Sequence, residues 1–159
     1  MKKFFLGIMA LHCISAAVAQ GIEQELPQQY VSGINNISFH EAGYNKAFVG
    51  NGFLIAYQGH IFAVTVKHSL LEAKTPAMQF VDIKEHVKQW KIHPNGLSDT
   101  AIVLGKLLNA DVREKIDINV LQKDWLIFSV AKNHSDFKSL VLRDAPVQEG
   151  EVLRAIGCT

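Results

Sequence analysis

The sequence predicts an all-β protein, and three observations predict it. Short runs rich in β-branched and aromatic residues recur along the chain, each bounded by polar or glycine-containing turns. Two of these runs, 47–56 and 61–66, flank the linker Tyr57-Gln-Gly-His60, which is a hairpin signal. The composition, 159 residues with 48% hydrophobic and 19% charged, is ordinary for a globular protein and sufficient for one core. Short strands joined by polar turns point to a barrel or a sandwich. With 16 basic against 15 acidic residues the formal net charge is +1. No basic excess is available to neutralise a phosphate backbone, so nucleic acid is not expected as a partner.

The elements follow in chain order. Lys2 and Lys3 precede an apolar stretch, 4–18, which ends in Ala17-Val18-Ala19, the small-x-small pattern of a cleavage site. Residues 1–19 are expected to be a signal peptide, and the mature chain to be secreted or periplasmic with no membrane attachment. The stretch is too short and interrupted for a good membrane span. A lipoprotein reading at Cys13 is weaker, because His12 stands where a small residue is wanted. Past the cleavage site the one cysteine is Cys158, so no internal disulfide is expected.

Residues 20–46 are expected to form an arm, 21–29, and a first strand, 30–39, whose weak alternation rests on Val31, Ile34 and Ile37. The hairpin follows, then a helical turn at 69–74. Two strands are expected at 78–83 and 87–92, and a loop at 92–98. After a short apolar run at 100–104, the charged segment 109–120 reads as an insertion loop with modest helix content. A strong strand at 124–130, a turn at 131–137 and a strand at 139–142 come next. Gly150 introduces a last strand with little sequence after it, which suggests a continuation beyond Thr159. Left unpaired, that strand would be an apolar edge through which the isolated chain is expected to self-associate.

The most informative stretch is Gly50-Asn-Gly-Phe-Leu-Ile55, a turn, and then Ala63-Val-Thr-Val-Lys-His68. It resembles the trypsin-like serine peptidases, in which a "GSGFLI" strand precedes a "VTAAH" strand end carrying the catalytic base. Gly50, Gly52, Phe53, Leu54 and Ile55 match the first block, and Val64, Thr65 and His68 the second. Val66 and Lys67 depart from the small residues usual there; Lys67 should matter little if it points outward, which its alternation with Val66 permits. Asp124-Trp-Leu-Ile-Phe128 resembles the family's aspartate-headed strand, with Leu126 larger than the usual residue. The stretch 150–157 resembles the glycine-led strand that opens a second barrel.

The resemblance implies the first six-stranded antiparallel barrel of a double barrel at 47–145, and the start of the second at 146–159. It implies a protein or peptide substrate and no cofactor or metal. His68 would be the base and Asp124 its orienting acid. Asp99, heading Thr100-Ala-Ile-Val103, is the runner-up for the acid.

A serine hydroxyl is a poor nucleophile at neutral pH, and a neutral imidazole in hydrogen-bond reach takes its proton during attack. A carboxylate on the other ring nitrogen fixes the tautomer and stabilises the imidazolium. The family's nucleophile lies in a "GDSGG" loop of the second barrel, and no serine here stands in such a motif or in a Gly-x-Ser-x-Gly elbow. The chain alone is therefore expected to be inactive as a peptidase. A non-catalytic module that binds a protein partner is the alternative. In plainer readings His68 is a strand-end histidine satisfied by backbone, and Asp124 caps a turn. Trp125 and Phe128 read as core, and residues 111–115 as solvated surface. The histidine spacings fall short of a zinc signature, and Cys158 lacks a setting that would activate its thiol.

Overall fold

The computed structural model describes residues 31–94, 100–119 and 123–151. The expected signal peptide and arm, Asp99, the strand from 152 onward and Cys158 lie outside the described residues. The described strands are β1 Gly33–Phe39, β2 Asn51–Tyr57, β3 His60–Thr65, β4 Val87–His93, β5 Ile102–Leu107, β6 Leu126–Asn133 and β7 Ser139–Val141. One short helix, α1 Ser69–Ala73, follows β3.

Six strands hydrogen-bond in the order β1-β4-β5-β6-β3-β2, and pairing of Gly33 with Gly52 and Ile34 with Asn51 closes the ring between β1 and β2. The result is a closed six-stranded antiparallel barrel. Within it β4 returns by a long connection to lie beside β1, giving the spatial order β4-β1-β2-β3 of a Greek key. The seventh strand lies outside, where Leu54, Ile55 and Ala56 of β2 pair in parallel with β7. Because β1 pairs with β2 only at Asn51 and Gly52, β7 covers the length of β2 edge that β1 leaves.

Period-2 alternation puts one set of side chains inside. Along β1 the burial alternates strictly, with Asn35, Ile37 and Phe39 inward. Leu54, Ala63, Trp90, Ile92, Ile102, Leu126 and Phe128 join them in the core. Trp90 and Phe128 meet with ring centroids 5.3 Å apart, tilted by 52°. Burying each of the large aliphatic side chains contributes roughly 2 kcal/mol.

The two glycines of the first block have different physical reasons. Gly50 sits at φ +65°, a left-handed conformation that side chains resist. Gly52 is at the crowded barrel seam, where a Cβ would lie 2.4 Å from Ile92 Cδ1 and 3.2 Å from the Val64 carbonyl. The β2–β3 hairpin turns on Gln58 (φ 49°) and Gly59 (φ 79°), both positive, which matches the right-handed twist of the strands they join.

A buried polar chain runs across the barrel. Trp90 Nε1 donates to Asn35 Oδ1 at 2.9 Å, Asn35 Nδ2 to Thr65 Oγ1 at 2.7 Å, and Thr65 Oγ1 to the Asn51 carbonyl at 2.8 Å. Asn35 also exchanges backbone bonds with Gly50 and Val49. Four strands are thereby tied through one fully buried amide, whose oxygen and nitrogen each have a partner.

Several expectations are corrected. Residues 78–83 form no strand. Met78, Val81 and Ile83 are all buried in the core cluster, a spacing that does not alternate, because this connection packs on the core without joining the sheet. Its one strand-like contact is the bridge Phe80–Lys115, flanked by Val81 N–H to Glu114 O and Ile116 N–H to Gln79 O. Segment 109–119 carries turns and no helix. Trp125 is 54% exposed, since the inward positions next to it belong to Leu126 and Phe128. β6 runs on to Asn133, into the expected turn.

Candidate active site

The register of β3 against β6 builds the site. Thr65 pairs with Leu126, so the residues just after β3 face those just before β6. Lys67 N–H reaches the Asp124 carbonyl at 3.4 Å, which extends the ladder by a weak step. The chain then turns into α1, with His68 at its N-cap position in a helical conformation. On the other side Lys123 has φ 50°, and Trp125 N–H closes a tight turn onto the Lys123 carbonyl, with Asp124 at its tip. The Asn109 side chain clamps the same stretch, donating to the Trp125 carbonyl at 2.9 Å and accepting from Ile127 N–H at 2.8 Å.

These turns bring together two residues separated by 56 positions. Asp124 Oδ2 lies 2.6 Å from His68 Nδ1, and Asp124 Oδ1 accepts the His68 backbone N–H at 2.8 Å. Each carboxylate oxygen thus takes one bond from the same residue. A carboxylate only accepts, so Nδ1 carries the proton and a neutral ring keeps its lone pair on Nε2. Among the described residues Nε2 has no hydrogen-bond partner. The side chains of His68 and Asp124 are 58% and 50% exposed. The runner-up acid, Asp99, lies outside the described residues.

Burial is the largest single influence on the Asp124 carboxyl and pushes its pKa up. The bond to the His68 ring, the His68 backbone N–H, the ring's charge and the Lys67 backbone N–H together outweigh it, and hold the carboxyl below its ordinary 3.8. A depressed folded value means that the stabilisation is fully present above 3.8 and disappears as pH falls through the lower folded value. In an NMR titration, the His68 amide proton is expected to keep its hydrogen-bonded shift down to pH 3.8 and to lose it below. The accompanying loss of stability should be small, because water screens a half-exposed pair.

Beside the pair sits a group whose role the sequence reading missed. Strand alternation permits Lys67 to point outward, and the charges of 111–115 read as solvated surface. Lys67 is instead 3% exposed, and Glu114 accepts from its Nζ at 2.8 and 2.9 Å. Alternation fails here because the strand ends at Thr65, and 67 lies in a turn where period 2 no longer holds. The pair, with Lys74 Nζ donating to the Ile116 carbonyl at 2.9 Å, straps segment 109–119 against the turn that carries His68. A lysine directly after a strongly apolar strand, with an acid-containing insertion downstream, was the available signal. Lys67→Met is expected to cost about 3 kcal/mol, the low end for a broken buried pair because Glu114 keeps some access to water. Adding Glu114→Leu should restore most of that loss, as read by urea melts of the two variants.

Fold and site together define an all-β closed barrel that carries an open histidine–carboxylate pair at one strand end. The chain matches no family model, no curated protein and no solved structure, so the site's chemistry is argued from its geometry.

Proposed function

We propose that this chain is the base-bearing barrel of a secreted, trypsin-like serine endopeptidase, with His68 as general base and Asp124 as its orienting acid. The observation that carries the reading is the polarity of the pair: the carboxylate takes Nδ1, while Nε2 is left without a partner among the described residues on an exposed face. A serine hydroxyl supplied next to Nε2 would give up its proton there as its oxygen attacks a peptide carbonyl, and the imidazolium so formed would be stabilised by Asp124. The serine and the oxyanion donors would come from a second body packed over this face. That body would also bury Asp124, as an effective orienting acid requires.

The resemblance of Gly50–Ile55 and Val64–His68 to the trypsin-like blocks supports the same reading. The half exposure of both side chains supports a second one, a non-catalytic module whose open face docks on a partner protein. A fluorophosphonate probe applied to the complete gene product separates them. Labelling that disappears in His68→Ala is the expected result. A folded full-length product that never labels would leave the non-catalytic module. The chain of 159 residues by itself is expected to show no labelling.

A further inference from the structure

The barrel wall has a gap between β4 and β5 whose lining includes neither His68 nor Asp124. β4 and β5 pair only at Lys91–Val103 and Ile92–Ile102. Beyond these pairs each strand is bent by a bulge. On β5, Gly105 and Lys106 intervene between Leu104, which pairs with Val130, and Leu107, which pairs with Phe128. A Cβ on Gly105 would lie 2.5 Å from Ser129 Oγ, and Ser129 Oγ accepts the Lys106 N–H at 2.8 Å, so the bulge is built in. On β4, Lys88 intervenes between Val87, which pairs with Phe39, and Gln89, which pairs with Ser38.

Between the parted strands lies a cavity of about 540 Å³, within the range of small-molecule sites. Core residues Trp90, Leu104 and Phe128 line its floor, with Val81 and Ile83 on a wall. The one side-chain donor of the floor, the Trp90 indole N–H, is taken by Asn35. Lys84, Lys88 and Lys106 line the same cavity and are exposed, and no salt bridge among the described residues engages them. The one acid of the lining, Asp82, accepts the Lys84 backbone N–H at 3.3 Å.

We propose that this gap is a binding site for a free alkyl carboxylate, with the chain inserted on Trp90, Leu104 and Phe128 and the carboxylate held by the lysines. An apolar floor favours an aliphatic chain over a peptide or sugar, whose polar groups would go unpaired there. Three cations against one engaged acid favour a negative head. The site is independent of any chemistry at His68.

The test is calorimetric titration of the full-length chain with dodecanoate, dodecanol and dodecyltrimethylammonium, each below its micelle concentration. Saturable one-to-one binding of dodecanoate is expected, at least tenfold tighter than the alcohol and the ammonium and weakened by salt. The triple variant Lys84→Gln, Lys88→Gln, Lys106→Gln, altered only at exposed positions, should lose about tenfold for dodecanoate and nothing for dodecanol. Leu107→Trp, which fills the cavity from its wall, should abolish binding of both; if it fails to fold, the lysine variant decides. Absence of saturable binding, equal affinity for the ammonium, or unchanged dodecanoate affinity in the lysine variant would overturn the proposal.

Discussion

Asn35→Ala is expected to destabilise the barrel by about 3 kcal/mol, a large part of the stability of a domain this size. The residue is wholly buried, and its side chain alone joins Trp90 on β4 to Thr65 on β3. Its removal strands the Trp90 N–H in an apolar interior, where an unsatisfied donor costs about 1–3 kcal/mol. The vacated volume adds a cavity term. Thr65 keeps its bond to the Asn51 carbonyl, so its loss is smaller. Trp90→Phe would remove the donor and leave the Asn35 side-chain oxygen, Oδ1, unpaired in turn. In a double-mutant cycle the two changes should therefore couple by about 1–2 kcal/mol, since the second removes a group the first has already orphaned. Urea midpoints should fall at unchanged m-value. Additive losses would mean that the polar chain does not act as a unit.

On the proposed peptidase reading, Asp124→Asn should leave the fold intact and cut the reactivity of the complete product toward a fluorophosphonate by about 10⁴-fold, the scale seen when a triad acid becomes an amide. The amide oxygen can still accept the His68 backbone N–H, as Oδ1 does now at 2.8 Å. The amide nitrogen, however, would donate to Nδ1, where Oδ2 now accepts at 2.6 Å. The proton would then move to Nε2, and the ring would present a donor where a base is needed. Melting curves that superimpose on the parent, together with labelling that persists only at a small residual rate, are the expected pair of results. Full labelling in the amide variant would remove Asp124 from the mechanism.

The reach of the sequence is clearest in these two groups of residues. Strand runs, the Gly59 hairpin and the short turn of α1 were legible, because period 2, turn glycine and β-branched composition are local properties of the chain. The all-β class followed from them. Residues 78–83 misled because an apolar run that packs on the core outside the sheet is composed like a strand. Trp125 misled because its aromatic bulk is silent about which face it takes.

Closure of the ring, the Asn35 chain and the Lys67–Glu114 strap each join residues that are distant along the chain. The 30 positions from Asn35 to Thr65 and the 47 from Lys67 to Glu114 leave no periodic trace. The sequence by itself determined most of the strand segments and which residue types are available for chemistry, since local propensity and patterning act over a few residues. Only the tertiary structure decided that His68 and Asp124 meet, because their contact depends on the register of β3 against β6, and register is set by packing of the whole barrel.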